Sequence, residues 1–286
     1  MIEYPRYTNL DKDYLKKKID EYLAEDAPGG DVTTIGTVAK NENITAIIEA
    51  QEDLIFAGED VVNAFFGETA EVKQIKKDGD DVKDGDVICE IKGNAIEILT
   101  KERSILNLLQ RLCGIASLTR KYAEIARPHG VKILDTRKTT PGLRHFEKYA
   151  VACGGGHNHR LDLSSGILIK DNHIKAAGSI TKAIENIKKI ASDLPIEVEV
   201  ENDDDIREGL AAGADGFLFD NMSPEKTIES VKIVREFDGG DDIFIESSGG
   251  INLGNLAGYM TTGINAISSG ALTHSVKSSE MHMEFL

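Results

Sequence analysis

The chain is short of cysteine, of positive charge and of long apolar runs, and each shortage removes a class of protein. Its three cysteines, Cys89, Cys113 and Cys153, are too few and too scattered for a disulfide framework or a structural zinc site, so they read as reduced packing residues. No apolar run approaches the roughly 18 residues of a membrane-spanning helix, and the opening MIEYPRYTNLDKDY lacks the apolar core of a secretion signal. The expectation is a soluble, cytoplasmic protein without a membrane partner. Only 33 lysines and arginines stand against 49 aspartates and glutamates, a formal charge of −16. Such a field repels nucleic acid and anionic membranes. Also missing is a GxGxxG after the first buried run, which disfavours a dinucleotide fold.

What cationic charge there is gathers in one place. Between Arg137 and Lys175 lie Arg137, Lys138, Arg144, Lys148, Arg160, Lys170 and Lys175, together with His145, His157, His159 and His173, four of the chain's seven histidines. Against them stand only Glu147, Asp162 and Asp171. Arg137 and Lys138 follow the apolar run Val131 to Leu134, and Lys170 closes the run Ile167 to Ile169. Cations at the carboxyl ends of buried strands suggest a pocket for a small anion; a solvated basic face is the plainer alternative.

At 286 residues and 41% hydrophobic content the chain can bury a large domain and a small one. Asp11 to Ala24 has the period of an amphipathic helix and leads into the glycine-rich turn EDAPGGDVTT. A strand over Ile44 to Phe56, a helix over Asp60 to Phe66 and a strand over Ala70 to Lys76 follow. KKDGDDVKDGDVICEIKG then repeats turn and strand, a pattern similar to biotinyl and lipoyl carrier modules, but Lys92 lacks their flanking methionines. Ile96 to Arg127 keeps a helical period with no proline and suits a connector or dimer helix, with Arg103 able to project into a neighbour's site.

From Val131 onward short apolar runs alternate with helical segments. The runs are Val131 to Leu134, Ile167 to Ile169, Ile196 to Val200, Gly216 to Phe219, Ile243 to Ile245 and Ala266 to Ser268. Helices are predicted over Ser179 to Ala191, Asp203 to Ala212, Pro224 to Glu236 and Leu253 to Tyr259. The alternation implies a parallel sheet, here a β/α barrel with its chemistry at the carboxyl ends of the strands. The boundaries drawn are 1–110 for a small α+β domain and 111–286 for the barrel, with the extreme C-terminus a candidate to pack on the small domain.

Two further patterns carry chemistry. Glu197, Glu199 and Glu201 alternate with Ile196, Val198 and Val200, so the carboxylates share the face opposite the apolar one. Inside a barrel they need partners, for which Lys170, Arg137, Arg160 or a divalent metal could serve. Asp220 ends the next strand, and paired strand-end carboxylates suit Mg²⁺ shared with phosphate or ribose oxygens. Finally, IESSGGI and ISSGALTHS put glycine and small hydroxyl residues after the last two strands, where barrels bind phosphate through backbone N–H groups and helix N-termini.

In this order, EDAPGGDVTT, ERSILNLLQRLCGIASLT, DTRKTTPGLR, GGGHNHRLDL, LIKDNHI, VEVE, LFDN, ESSGGI and ISSGALTHS resemble the nicotinate-nucleotide pyrophosphorylase (carboxylating) family, also called quinolinate phosphoribosyltransferase. The resemblance implies an N-terminal open α/β sandwich plus an incomplete, seven-stranded β/α barrel. It further implies a homodimer, or a hexamer built as a trimer of dimers, and Mg²⁺ as cofactor. Quinolinate and phosphoribosyl pyrophosphate would be the substrates, and nicotinate mononucleotide, pyrophosphate and CO₂ the products. By motif position Arg103 from the partner subunit, Arg137, His159 and Arg160 would grip the quinolinate carboxylates. Lys138 and Lys170 would lie near that ligand and the pyrophosphate, Glu199 and Asp220 would face ribose and Mg²⁺, and Ser248, Gly249, Gly250 and Gly270 would hold the 5′-phosphate. The resemblance thereby gives Lys138, Lys170, Glu199 and Asp220 the catalytic part. Outside that family, an aldolase using Lys170 as a Schiff-base amine and a metabolite-binding regulator remain as rival readings.

Overall fold

Asp11 decides where the first helix begins. Its carboxylate accepts from Tyr14 N at 2.9 Å, and α1 runs over Lys12–Asp26 with Leu15 and Ile19 buried. The computed structural model describes residues 2–190 and 193–286. Where the sequence suggested only a turn, Asp31 repeats the capping device on Thr34 N and starts a short helix, α2 (Val32–Thr37). The strand predicted over Ile44–Phe56 breaks at a bend, giving β1 (Asn43–Ala50) and β2 (Leu54–Ile55). Next come α3 (Glu59–Phe66), β3 (Glu71–Gln74), β4 (Asp81–Val82) and β5 (Val87–Asn94). The predicted long helix follows as α4 (Ala95–Ala126), 32 residues.

The remaining elements are, in order, β6 (Lys132–Leu134), α5 (Arg144–Cys153), β7 (Ile167–Ile169), α6 (Asp171–Ala177), α7 (Ile180–Lys189), β8 (Ile196–Val200), α8 (Asp203–Ala212), β9 (Gly216–Asp220), α9 (Pro224–Arg235), β10 (Phe244–Ser248), β11 (Ala266–Ser268), α10 (Ala271–His274) and β12 (Met281–Phe285). Caps again mark the starts. Ser179 accepts from Lys182 N, Asn202 from the amides of Asp204 and Asp205, and Ser223 from Lys226 N with Pro224 in the first turn. Of the predicted helix Ser179–Ala191, residues 180–189 are helical and Ala191 lies outside the described residues. The predicted helix Leu253–Tyr259 shrinks to a 3-10 turn at Leu256–Tyr259.

Two compact units share the chain in non-contiguous pieces. The sandwich unit takes Tyr7–Arg120, His145–Gly155 and Ser275–Leu286; the barrel unit takes the start of the chain through Arg6, Lys121–Arg144 and Gly156–His274. The division drawn from the sequence at 110/111 falls inside α4. In the sandwich unit an antiparallel sheet runs β12-β1-β5-β3, with Ile48 opposite Met283 on one side and Ala46 opposite Ile91 on the other. The extreme C-terminus therefore supplies an edge strand. Elsewhere in this unit, in α3 and α5, Val61, Phe65, Phe146, Tyr149 and Val151 are buried and the Tyr149 hydroxyl donates to Asp78.

In the barrel unit six parallel strands pair in the order β7-β8-β9-β10-β11-β6, and His157 makes a parallel bridge to Leu134 on the free side of β6. Counted with that segment the row has seven members, with β6 and the His157 segment, the first of these in the chain, placed after β11. No strand pairing among the described residues joins its two ends, so the barrel stays incomplete. Ile133, Leu134, Val198, Phe217, Phe219, Ile245 and Ile267 are all buried, which suits strands covered on both faces.

Candidate active site

All the strands of the barrel unit point the same way, so the residues just past their carboxyl ends converge. Asp135, fully buried after β6, accepts from His159 N at 2.9 Å and from Asn158 Nδ2 at 2.6 Å. The strand end thus fixes the segment 157–160. Past Asp135, Arg137 and Lys138 reach a cavity of about 360 Å³, a size suited to a small ligand. Its lining includes Arg137, Lys138, His159, Arg160, Lys170, Glu199, Asp220, Glu246 and Ser248.

The cations there are under-neutralised. Arg137 Nε is buried with no partner among the described residues, a donor that an anionic ligand would satisfy. Arg160 is tethered by Nη1 to Gly166 O at 3.0 Å, and burial first, then Arg137's charge, hold its guanidinium below the ordinary arginine range. Two desolvated guanidiniums side by side are costly unless anions join them. Lys170 instead ion-pairs with Glu199, whose side chain is only 14% exposed. That is the partner demanded by an inward carboxylate on β8. Glu201, expected on the same face, lies past the end of β8 and is exposed.

Asp220 closes β9. Glu199 pairs in register with Leu218, so Asp220 stands two residues further toward the open end, where its Oδ2 accepts from Asn221 Nδ2 at 2.9 Å. Glu199 and Asp220 give the cavity hard carboxylate oxygens, a donor set that fits Mg²⁺ with water and phosphate oxygens completing its shell. Beside them, Ser248 O accepts from Asn221 N at 2.9 Å, and the chain turns through Gly249 (φ +91°) and Gly250 (φ +62°). A Cβ on Gly249 would come within 2.4 Å of Asn221 Oδ1, so no other residue fits this left-handed turn unstrained. A Cβ on Gly270 would press within 2.8 Å of Lys138 Cδ. Only one helical turn, α10, follows Gly270, so an anion here relies on backbone N–H groups and lysine more than on a helix dipole.

The floor of the cavity holds a group that the sequence reading missed in part. His159, Glu197 and Glu246 are buried, and their ligand-type atoms lie within 4.8 Å of one another. Tyr4 joins them: its hydroxyl donates to Glu197 Oε2 at 2.7 Å and lies 3.1 Å from His159 Nε2. Although three such atoms could share a cation, His159 Nδ1 accepts from Arg160 N at 2.8 Å. The ring proton then sits on Nε2, which cannot ligate a metal. Burial first, and the Glu197 charge second, push the Glu246 carboxyl up to about 8. Glu246 had a weak signal, as the inward position of IESS; Tyr4, a lone aromatic 155 positions from His159, had none.

The cationic cluster of the sequence is divided. Lys175 pairs with Asp171 at the surface, Arg144 donates to Thr139 Oγ1, and the His173 ring accepts from Lys170 N. His145 stacks on Tyr14 and Lys148 is buried, both in the sandwich unit. Arg103 also belongs to the sandwich unit, on α4, with its side chain 60% exposed.

Known proteins are similar to this chain in sequence and fold. A family model for the quinolinate phosphoribosyl transferase C-terminal domain matches residues 115–284, and one for the N-terminal domain of the same family matches residues 31–113. The chain is 44% identical over 274 residues to a probable nicotinate-nucleotide pyrophosphorylase [carboxylating] of Bacillus subtilis, covering 94% of this chain and 93% of the relative. It is 37% identical over 271 residues to the nicotinate-nucleotide pyrophosphorylase [carboxylating] of Mycobacterium leprae, covering 93% and 95%. The solved nicotinate-nucleotide pyrophosphorylase of Francisella tularensis superimposes with a TM-score of 0.92 at 36% identity, covering 99% of this chain and 100% of that one. Over nearly its whole length, the chain belongs to the quinolinate phosphoribosyl transferase family.

Proposed function

We infer that the protein is a quinolinate phosphoribosyltransferase of NAD biosynthesis. It transfers the ribosyl 5-phosphate of phosphoribosyl pyrophosphate to the ring nitrogen of quinolinate and releases pyrophosphate and CO₂, leaving nicotinate mononucleotide. The observation that carries this reading is the pair Arg137 and Arg160, partly buried together, with Arg137 Nε unsatisfied. Two planar guanidiniums match two adjacent carboxylates, a requirement that a singly charged pyridine does not set.

Each group then has work suited to its position. Arg137 and Arg160 orient the ring. Lys138, exposed beside Gly270 with no ion pair among the described residues, is free to meet the pyrophosphate. Glu199 and Asp220 face the sugar, whose C1 gains positive charge as pyrophosphate departs, much as carboxylates stabilise a glycosyl cation. Lys170, ion-paired to Glu199, keeps that carboxylate aimed into the cavity. The backbone at Ser248, Gly249 and Gly250 holds the 5′-phosphate. Glu199 and Asp220 would hold Mg²⁺, which when bound would share the charge of the leaving group. Ribosylation makes the ring a cationic electron sink, so the carboxylate next to nitrogen can leave as CO₂ without a protein nucleophile. Lys170, ion-paired to Glu199, is poorly placed to be a Schiff-base amine.

Arg103 completes the set if it comes from a second subunit. Exposed on α4, it is available to reach the cavity of a partner chain in a homodimer, the unit from which a hexamer could also be built. The test of the reaction is a parallel assay with Mg²⁺ and phosphoribosyl pyrophosphate, offering quinolinate or nicotinate and following mononucleotide and CO₂. Turnover of quinolinate alone is the expected result. Equal use of nicotinate would remove the dicarboxylate argument, and binding without turnover would leave a regulator.

A further inference from the structure

The floor of the barrel contains a directional hydrogen-bond chain whose far end is the backbone of a substrate-facing arginine. We propose that Tyr4 and His159 are positioning residues for Arg160, and that His159 acts on the substrate through that arginine and not by gripping a carboxylate itself. The proposal rests on the reading of the cavity as a pyridine dicarboxylate site.

Proton directions follow from one contact. Arg160 N can only donate, and it lies 2.8 Å from His159 Nδ1, so Nδ1 is the bare nitrogen of the ring. The ring proton is on Nε2 and points to the Tyr4 oxygen at 3.1 Å; Tyr4 in turn donates to Glu197 Oε2 at 2.7 Å. The series ends on the Glu197 carboxylate, whose Oε2 also lies 3.4 Å from His159 Nε2. Both ring nitrogens are thereby committed inside the protein, and His159 is only 6% exposed. Neither nitrogen is left for a ligand carboxylate. What the ring does control is Arg160, held at its amide by His159 and at its guanidinium by Gly166 O.

Tyr4 is anchored by ring contacts as well as by this chain. Its ring stacks on His159 at 4.6 Å and meets Phe244 edge-on at 5.5 Å. Ile2 is buried in a cluster with Leu134, Phe244 and Ala266, and Pro5 O accepts from Asn158 N at 2.8 Å. The start of the chain is therefore a structural plug under the cavity, and its hydroxyl selects the tautomer of His159. Such second contacts commonly decide ring orientation at functional histidines.

Amide side chains separate the two roles, because the oxygen of asparagine can replace Nδ1 while the terminal nitrogen of glutamine can replace Nε2. If His159 positions Arg160, His159→Asn keeps the quinolinate KM within about threefold, whereas His159→Gln raises it about tenfold or more. Tyr4→Phe, which keeps the ring stacking, raises the quinolinate KM about tenfold with little change in the KM for phosphoribosyl pyrophosphate. Nitrogen-15 spectra of the substrate-free protein should show the His159 proton on Nε2. Retention by His159→Gln with loss in His159→Asn, a proton on Nδ1, or equal loss toward both substrates in Tyr4→Phe would each overturn the proposal. A wild-type protein without turnover would count against the functional reading alone, since the tautomer is read without substrate.

Discussion

Glu246→Gln should change the pH dependence of stability in a way fixed by the burial of one carboxyl. Glu246 has no exposed surface, and its carboxyl oxygens have no close hydrogen-bond partner among the described residues. Ser268, close by, has its hydroxyl 2.9 Å from that of Ser248 and only partly offsets the burial of Glu246. The Glu197 carboxylate lies on the same floor, so both burial and like charge favour the neutral acid and push Glu246 from 4.5 up to about 8. Between those limits the unfolded chain has released this proton and the folded protein keeps it. Folded protein then binds one more proton than unfolded protein, and stability falls as pH rises, by about 1.4 kcal/mol per pH unit for a single group. The contribution is complete below about 4.5 and is lost through about 8. Glutamine has the same shape and no proton to lose.

Urea unfolding at half-unit pH steps from 5 to 8 measures this directly. The useful quantity is the stability of Glu246→Gln minus that of the wild type, which should grow by about 1.4 kcal/mol for each pH unit across the window. Titrating groups that do not interact with Glu246 cancel in the difference. His157 is the main example: burial first, then Lys132 and Arg6, lower its pKa, so its own contribution rises with pH in both proteins. A difference that stays flat from pH 5 to 8 would refute the argument, because it would mean that Glu246 ionises like an exposed glutamate.

Arg137→Ala should raise the quinolinate KM by about a hundredfold, the loss of a charge-assisted pair of hydrogen bonds, while the KM for phosphoribosyl pyrophosphate moves far less; comparable losses toward both would sink the carboxylate role. Lys170→Ala leaves Glu199, 14% exposed, without its cation, and kcat should drop by about a hundredfold or more with the fold intact by circular dichroism; an unaltered kcat would show that the ion pair is only structural. Mixing inactive Arg103→Ala with inactive Lys170→Ala should recover roughly a quarter of wild-type activity if each site combines two subunits, since half of randomly reassorted dimers carry one intact site. No recovery despite verified subunit exchange would place Arg103 outside the partner's site.

What could be read from the sequence depended on whether the signal was local. Strand β8 shows its inward carboxylates by alternation alone, and α8 shows its start through Asn202 and its end through Gly213. The cations past β6 and β7 were legible because each lies within four residues of the end of an apolar run. Helix α5 was not. It is buried from Phe146 through Cys153, so it has no polar face to set a period, and Glu147 and Lys148 made it look like surface. Helix α2 hid in a glycine-rich stretch, with Val32 and Ile35 exposed and only the Asp31 cap to mark it. The floor of the cavity was the least legible part, because Tyr4 meets His159 and Glu197 across 155 and 193 positions. No window of sequence contains such a contact.

Glu197 and Glu199 sit two positions apart on β8, yet the fold treats them differently, and the difference yields a last test. Glu199, nearer the mouth, is met by a lysine; Glu197, 1% exposed, is met by the hydroxyl of Tyr4, with His159 Nε2 at 3.4 Å. After burial, the charge of Glu197 is the second cause that favours the neutral acid at Glu246. Glu197→Gln keeps an oxygen to accept from Tyr4 and removes the charge. Burial, the larger cause, would still raise Glu246, but the second cause would be gone. The upper end of the pH window measured against Glu246→Gln in the same background should therefore move below about 8. If that window keeps its upper limit in Glu197→Gln, the two carboxyls are not coupled, and burial alone explains the retained proton.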